Sequence, residues 1–164
     1  AIDAEGEILA RSNTVMAGYW EQPDQTDAAI SGGFFHTGDG GIIDDDHYVV
    51  ISDRKKDVII SGGENVSSIE VEDAIFQHPD VTEVAVIGIP DEKWGELVTA
   101  LVVTVAGSEL NEASLIAFAK ERLAGYKCPK RIEFRAELAR TATGKLQKFK
   151  LREPFWADAD KKVN

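Results

Sequence analysis

Two segments of this sequence place a charged side chain beside glycines, where it could contact a ligand. The first, Thr37-Gly38-Asp39-Gly40-Gly41, places one carboxylate in a glycine-rich loop just before a predicted strand. There Asp39 can accept hydrogen bonds from two vicinal hydroxyls, such as those of a ribose. The alternative is an aspartate that only stabilises a tight turn, which is the more common role of this residue type. The residues alone leave both roles open.

The second segment, Arg140-Thr141-Ala142-Thr143-Gly144-Lys145, places a lysine after a flexible Thr-Gly turn. A mobile lysine can deliver one positive charge to a phosphate. The spacing superficially matches the phosphate loop of Walker-type NTPases. However, Ala139 stands where the first glycine belongs, and Leu146 stands where Ser or Thr belongs. The sequence therefore excludes a Walker-type NTPase and keeps Lys145 as a candidate phosphate contact.

Between these segments, residues 53–65 combine a charge cluster with an apolar strand and a glycine pair. The charges of residues 53–57 lead into Val58-Ile59-Ile60, which is followed by Gly62 and Gly63. This order predicts a junction, where one unit ends and a buried strand opens the next. Two adjacent glycines let the backbone approach another group closely.

Metal and nucleophile chemistry are not indicated. His36, His47 and His78 show no ligand spacing with one another or with Cys128, so we predict no protein metal site and no Cys/His nucleophile. A single cysteine excludes an intramolecular disulfide and fits a reducing compartment, which favours the cytoplasm. The longest apolar run is about a strand in length, which predicts no transmembrane segment.

The charge distribution is uneven. The net charge is −11, but residues 120–152 hold 11 Lys and Arg against 3 Glu, whereas the rest of the chain holds 7 against 26. The acidic body argues against general nucleic-acid binding. The basic stretch indicates either a local anion site or a solvated basic helix face. A nucleic-acid-binding tail is the least favoured alternative.

The pattern of apolar residues divides the chain near residue 55. We predict strands at residues 7–11, 41–43 and 48–52, with a turn at Asp44-Asp45-Asp46-His47 and a short helix from Pro23. Further on, strands are predicted at residues 58–60, 82–89, 97–105 and 131–135. Helices are predicted at residues 67–77, after Asn111, and at residues 146–152, the last ended by Pro154. Because the first residue is not Met and residues 6–10 resemble the middle of a β-domain, we expect a piece of a longer protein.

From about Gly6 to Arg152 the chain resembles the C-terminal part of the AMP-forming acyl-CoA synthetases. These enzymes belong to the adenylate-forming superfamily, which also includes luciferases and peptide-synthetase adenylation domains. Nine matching pieces occur in the family's order: Gly6-Glu7-Ile8, Gly18-Tyr19-Trp20, Thr37-Gly38-Asp39, Asp53-Arg54-Lys55-Lys56-Asp57, Ser61-Gly62-Gly63-Glu64-Asn65, Ile69-Glu70-Val71-Glu72, Gly88-Ile89-Pro90-Asp91 with Trp94-Gly95-Glu96, Tyr126-Lys127-Cys128-Pro129-Lys130 and Thr143-Gly144-Lys145.

The resemblance implies roles for four residues in nucleotide binding, adenylation and domain rotation. Asp39 would hold the ribose hydroxyls of ATP and AMP, and Arg54 would contact the ribose and phosphates. Lys56 would be the hinge about which a small C-terminal domain rotates between two half-reactions. Lys145 would enter the site only for adenylation.

After the rotation, the resemblance places the glycine loop in the active site instead of Lys145. Six residues would then contact CoA: Gly62, Gly63, Glu64, Trp94, Tyr126 and Lys130. Three positions depart from the family pattern. Asp53 stands where many relatives have glycine, Ala139 where many have proline, and Cys128 where some have a basic CoA-contacting residue.

The implied fold is α+β. Residues 1–54 would be the strand-rich end of a large ATP- and acyl-binding domain. Residues 55–164 would form a mobile α/β domain with a mixed three-stranded sheet, flanking helices and a two-stranded hairpin. The implied activity is that of an ATP-dependent acid–CoA ligase that acts on a fatty or medium-chain acid. ATP, bound with Mg²⁺, and CoA would be its co-substrates.

The ATP-phosphate loop, the magnesium-binding Thr-Glu pair and the acyl pocket of the family lie in a region that this chain lacks. We therefore expect these residues alone to be inactive, and any homo-oligomer to form through the missing domain. An aryl-acid CoA ligase and a non-catalytic nucleotide- or CoA-binding module are the alternatives.

Overall fold

A computed structural model describes residues 1–157 and divides the chain into two compact units. Unit 1 comprises Ala1–Lys56, and unit 2 begins at Asp57. No helix within residues 1–157 is both long enough and apolar enough to cross a bilayer.

Unit 1 is built around one long strand. Its elements are β1 (Glu7–Ala10), α1 (Pro23–Ala29), β2 (Ile30–Ser31), β3 (Phe34–Ile43) and β4 (Val49–Arg54). β3 pairs antiparallel with each of the other three strands. The predicted helix start is confirmed, because Pro23 opens α1, where its fixed φ suits the first turn and its missing N–H costs nothing. The predicted turn is confirmed too, since the Asp44 carboxylate accepts from the N–H groups of Asp46 and Tyr48.

One prediction for unit 1 is wrong. Thr37-Gly38-Asp39-Gly40-Gly41 is not a loop before a strand but lies inside β3. The reason is pairing, because Asp39 lies opposite Arg54 and Gly40 opposite Asp53 in the β3–β4 ladder. The glycines instead allow irregular backbone within the strand: the register shifts between Gly40 and Gly41, and Gly38 has φ +74°.

Unit 2 contains the remaining elements, and the predicted α+β class is confirmed. They are β5 (Ile59–Ser61), β6 (Glu64–Val66), α2 (Ser68–Phe76), β7 (Val81–Asp91), β8 (Gly95–Thr104), α3 (Glu112–Lys120), β9 (Arg131–Phe134) and α4 (Lys148–Trp156). β8 lies between antiparallel β7 and parallel β9, which gives the mixed three-stranded sheet. The β5–β6 hairpin joins this sheet through one pair, Ser61 with Gly95.

Both faces of the central strands are buried, as their β-branched sequences predict. On one face, Val86 and Val102 pack with Ile75 of α2 and Leu115 of α3. On the other face, the buried cluster consists of Ala85, Ile87, Ile89, Leu101 and Leu138, with Phe155 of α4 packed against it. Each fully buried aliphatic side chain contributes about 1.5–3 kcal/mol to folding. The sheet is therefore the rigid reference on which the loops of unit 2 are built.

Side-chain caps fix the starts of α2 and α3 where they were predicted. The Ser67 hydroxyl accepts from the Glu70 N–H at 3.3 Å. Asn111 forms a capping box with Ser114, each side chain accepting from the other residue's backbone N–H. Such caps contribute about 1 kcal/mol each.

The predicted end of the last helix is wrong. α4 continues through Pro154 to Trp156, although proline cannot donate the hydrogen bond that an interior helical residue gives. Tertiary contacts hold the following turn in place. Phe155 packs on the sheet, and the Trp156 Nε1–H donates to the Gly88 carbonyl at 3.1 Å. These contacts bind the residues after Pro154 to β7.

Candidate functional site

The two residues that sequence reasoning assigned to a ribose are direct neighbours. Asp39 and Arg54 face each other across the β3–β4 pair, and Arg54 Nε lies 3.3 Å from Asp39 Oδ1. The Arg54 side chain is 60% exposed, so most of its guanidinium is accessible to a ligand. The arrangement presents a hydrogen-bond acceptor and a fixed cation at one place on unit 1.

Beside this pair, unit 1 has a cleft of about 280 Å³. It is lined by Thr37, Gly38, Arg54, Lys55 and Lys56. Three cationic side chains and the irregular β3 backbone thus border one cavity. Its chemistry suits an anion that also carries hydroxyl groups.

A buried carboxylate, Glu7 of β1, supports the wall of this cleft. Glu7 Oε1 accepts from the Gly38 N–H at 2.8 Å, and Oε2 lies 3.3 Å from both Lys55 Nζ and His36 Nδ1. Burial by itself would raise the pKa of Glu7, but the hydrogen bonds from Gly38, His36 and Lys55 outweigh it and lower that pKa. Hydrogen bonds to Glu5 and Glu7 raise the pKa of Lys55. Glu7 lies in the matching piece Gly6-Glu7-Ile8, but no local pattern in the sequence predicts this role for it.

Asp3, Glu7 and His36 form a cluster whose ligand atoms lie within 4.8 Å of one another. Asp3 Oδ1 and both carboxylate oxygens of Glu7 already have hydrogen-bond partners. Asp3 Oδ1 accepts from the N–H groups of Glu5 and Glu7, which lowers the pKa of Asp3. Lys55 already brings a positive charge to Glu7. The cluster is explained as a hydrogen-bonded support of β1 and β3.

In unit 2 the glycine pair has a local structural reason. Ser61 and Glu64 are paired, so Gly62 and Gly63 form a two-residue hairpin turn with φ +63° and +86°. Positive φ at both central residues defines a turn type that strongly favours glycine. A Cβ on Gly62 would lie 2.9 Å from Cε3 of Trp94, whereas one on Gly63 would meet nothing within 4 Å. The Gly62 N–H also donates to the Trp94 carbonyl at 2.8 Å.

Trp94, in the β7–β8 turn, brings part of the predicted CoA set together. The Asp91 carboxylate holds this turn by accepting from the N–H groups of Lys93 and Trp94, both at 2.9 Å. The ammonium groups of Lys93 and Lys130 lie 4.9 and 5.9 Å from the centroid of the indole ring. Gly62, Trp94 and Lys130 thus form one surface that is aromatic and positively charged.

The remaining predicted CoA residues border this part of unit 2. Glu64 is exposed at the start of β6, and Tyr126 is exposed in the loop that precedes β9. Cys128, in the same loop, is fully buried and donates weakly to the carbonyls of Leu123 and Ala124. Cys128 therefore presents no side-chain surface to a ligand.

Lys145 lies on a compact turn between β9 and α4. Its N–H donates to the Thr141 hydroxyl at 3.0 Å, and its carbonyl accepts from the Thr141 N–H at 2.8 Å. Arg140 and Leu146 close the turn as an isolated bridge. The Lys145 side chain is exposed, and no acceptor for its ammonium is found within residues 1–157. A fixed backbone thus carries a side chain that is available to a ligand.

The basic stretch is largely neutralised within the fold. Seven of its 11 cations pair with carboxylates: Arg122, Lys127, Arg131, Arg135, Arg140, Lys148 and Arg152. Of the other four, which form no ion pair within the described residues, two are the predicted anion contacts Lys130 and Lys145. The charge of this stretch therefore does not act as one continuous basic surface, which disfavours the nucleic-acid alternative.

The boundary of the two units falls directly after the predicted hinge residue. Lys55–Asp57 form one turn of 3₁₀-helix, and the division lies between Lys56 and Asp57. Within unit 2, Asp57 Oδ1 accepts from Arg152 Nη2 of α4 at 2.9 Å. Asp39 and Arg54 belong to unit 1, whereas Lys145 and the CoA set belong to unit 2.

Comparisons with known proteins agree with these motifs. Residues 70–145 match the family model of the AMP-binding enzyme C-terminal domain. The chain is 46% identical to 4-hydroxybutyrate–CoA ligase 2 of Metallosphaera sedula, over 95% of this chain and 28% of the relative. It is 46% identical to long-chain-fatty-acid–CoA ligase FadD13 of Mycobacterium tuberculosis, over 96% of this chain and 31% of the relative.

Among solved structures, ATP-bound MatB of Rhodopseudomonas palustris superimposes with a TM-score of 0.87 and 41% identity, over 95% of this chain and 31% of that one. This chain therefore spans less than a third of the length of each of these proteins.

Proposed function

This chain belongs to the adenylate-forming enzymes and contains their C-terminal domain, and from this premise we propose that it is part of an ATP-dependent acid–CoA ligase. In the first half-reaction, a carboxylate oxygen of the acid attacks the α-phosphorus of ATP, and the α–β phosphoanhydride bond breaks to release pyrophosphate. In the second, the CoA sulfur attacks the acyl carbon and AMP leaves. The product is an acyl-CoA thioester.

The pairing of Asp39 with Arg54 is the observation that carries this proposal. The two side chains come from opposite strands and meet at 3.3 Å beside a cleft bordered by Lys55 and Lys56. Asp39 can accept both ribose hydroxyls, while Arg54 donates to the ribose or a phosphate oxygen. A non-catalytic packing module does not need this exposed ion pair together with an exposed Lys145 ammonium that has no acceptor among residues 1–157.

Lys145 is proposed to act in adenylation. Its ammonium would lie near the α-phosphate and stabilise the negative charge that develops as the acid attacks. A preorganised charge of this kind contributes about 10²–10³ to the rate, or about 3–4 kcal/mol. The rigid turn around Lys145 supports this role, because preorganisation requires that the backbone is already fixed before the substrate binds.

Lys56 is proposed as the hinge between the two half-reactions. The division of the chain directly after Lys56 supports this assignment. Rotation of unit 2 would withdraw Lys145 and bring the Gly62-Gly63-Glu64 turn and Trp94 to the active site. Tyr126 and Lys130 would then contact the CoA nucleotide. The positive aromatic surface around Trp94 supports an anionic ligand there.

The acid is proposed to be a fatty or medium-chain acid, with an aryl acid as the nearest alternative. The two curated relatives act, by their names, on a hydroxy acid and on long-chain fatty acids at equal identity to this chain. We assign the acid pocket, the ATP-phosphate loop and the Mg²⁺ ligands to the longer enzyme outside this chain. The enzyme is proposed to act in the cytoplasm.

Lys145→Ala in the longer enzyme tests the proposal. Adenylation, measured as pyrophosphate release, should fall by about 10²–10³ because the charge near the α-phosphate is lost. Thioester formation from supplied acyl-AMP and CoA should be retained, since Lys145 is withdrawn in that step. Lys150→Ala, an exposed lysine on α4, is the matched control and should retain both activities.

Two outcomes would contradict the proposal. Unchanged adenylation in Lys145→Ala would remove its catalytic role, and an equal loss of both half-reactions would contradict the rotation. The same assay with a panel of fatty, hydroxy and aryl acids identifies the substrate. The 164-residue chain alone, which should form no acyl-AMP, serves as the blank.

A further inference from the structure

The peptide bond that precedes Lys145 is held on both sides. Its N–H donates to the Thr141 hydroxyl at 3.0 Å, and its carbonyl, that of Gly144, accepts from Arg140 Nη1 at 2.8 Å. The first contact is local and could form in any turn of this sequence. The second links the turn to a side chain that is itself fixed from elsewhere.

Arg140 is fixed by a carboxylate of the central sheet. Its Nε and Nη2 both donate to Glu83 Oε2 of β7, at 3.0 and 2.6 Å. Because a guanidinium is planar, holding these two nitrogens determines the direction in which Nη1 points. That direction is toward the Gly144 carbonyl. Arg140 therefore anchors the turn to β7, which is part of the rigid core of unit 2.

Stability alone does not account for this arrangement. The Arg140 side chain is 43% exposed, and ion pairs so accessible to water contribute little to folding. Arg140 nevertheless uses three guanidinium nitrogens on two partners, the Glu83 carboxylate 57 positions away in sequence and the Gly144 carbonyl four positions away. Its effect falls on a single backbone peptide, the one that sets the direction of the Lys145 side chain.

We propose that Arg140, oriented by Glu83, is a positioning residue that fixes the backbone of Lys145 for adenylation. The role rests on the proposed function of Lys145, and it assigns Arg140 no contact with the substrate. The Arg140 side chain limits the motion of the lysine backbone, so that the ammonium explores fewer positions. Misplacement of a catalytic group by about 1 Å can cost about 10²-fold in rate.

Amide hydrogen exchange of the 164-residue chain tests the link without any catalysis. In Arg140→Gln, exchange at Gly144 and Lys145 should rise by about tenfold, the factor expected for one partly exposed charge-assisted hydrogen bond. Glu83→Gln should give a smaller rise, because Arg140 keeps its donors but loses its orientation. Arg135→Gln is the matched control, since its side chain is 45% exposed and pairs with Glu133. Unchanged exchange in Arg140→Gln would overturn the proposal.

A charge swap separates positioning from simple ion pairing. Arg140→Glu combined with Glu83→Arg restores an ion pair but leaves no donor at position 140 for the Gly144 carbonyl. Exchange at Gly144 and Lys145 should therefore stay fast in the swapped protein. Arg140→Lys keeps a donor at this position, so its Gly144 and Lys145 amides should exchange more slowly than those of Arg140→Gln. Full protection in the swapped protein would show that the ion pair alone is sufficient and would overturn the positioning role.

The kinetic test uses the longer enzyme. Arg140→Gln should lower kcat for adenylation by about ten- to a hundredfold, with little change in KM for ATP and none in thioester formation from acyl-AMP. Fast exchange with unchanged kcat would overturn the positioning role while the Lys145 proposal stands. If Lys145→Ala leaves adenylation unchanged, the role proposed for Lys145 fails, and the exchange data still decide whether Arg140 holds the turn.

Discussion

Substituting the two glycines of the β5–β6 turn separately should have different effects on unit 2. Both residues have positive φ, so alanine at either position introduces backbone strain of about 1–2 kcal/mol. The loss of glycine's freedom in the unfolded chain offsets about 0.4–1 kcal/mol of this. Gly63→Ala should therefore lower the free energy of unfolding by about 1 kcal/mol.

Gly62→Ala should cost more because its new Cβ meets Trp94. The Cβ would lie 2.9 Å from Cε3 of the indole, whereas carbon atoms in contact are about 3.5–4.0 Å apart. Overpacking costs about 1–3 kcal/mol, and the lower end applies because Trp94 is 37% exposed and can move. We expect Gly62→Ala to lower the free energy of unfolding by about 2 kcal/mol, roughly 1 kcal/mol more than Gly63→Ala.

Native-state exchange of the Val86 and Leu101 amides measures this free energy for unit 2 without contributions from unit 1. A double-mutant cycle with Trp94→Ala isolates the clash. In the Trp94→Ala background, the two glycine substitutions should become equal. The reasoning is refuted if they are equal with Trp94 present, or if the excess cost of Gly62→Ala persists after Trp94 is removed.

Two further predictions concern single hydrogen bonds. The chemical shift of the Gly38 amide proton should titrate with Glu7 at a midpoint below the ordinary pKa of 4.5, because the pKa of Glu7 is lowered in the folded protein. The stability that Glu7 adds should be fully present above pH 4.5 and should be lost as the pH falls through the folded pKa. A Glu7→Gln variant should show neither effect. In urea unfolding, Trp156→Phe should lower the free energy of unfolding by about 1 kcal/mol, because the Gly88 carbonyl loses its indole donor. The control Trp20→Phe, at an 85% exposed site, should change this free energy by under about 0.5 kcal/mol. Equal effects of the two substitutions would contradict this role of Trp156.

Features determined by neighbouring residues were predictable from sequence. The capping residues Ser67 and Asn111, the Pro23 helix start and the β-branched strands of unit 2 act within a few positions, and each was confirmed. Pro154 shows the limit of such reasoning. Its local effect is to end a helix, but the contacts of Phe155 and Trp156 with a distant strand keep α4 intact.

The candidate site was only partly predictable for the same reason. Its residue types were identified, but the direct opposition of Asp39 and Arg54 depends on the register of β3 with β4, including the shift at Gly40. Glu7 contacts Gly38 across 31 positions, and Arg140 contacts Glu83 across 57. No local pattern marks such partners. The roles assigned to Asp39, Arg54 and Lys145 stay predictions until they are measured.

The ion pair between Asp57 and Arg152 joins residues 95 positions apart, at the first residue of unit 2 and in its last described helix. Because both partners belong to unit 2, this contact holds the first residue of the unit against α4 without any contribution from unit 1. Two segments of unit 2 that are far apart in sequence are thus tied together by one side-chain contact, which closes the described part of the unit on itself.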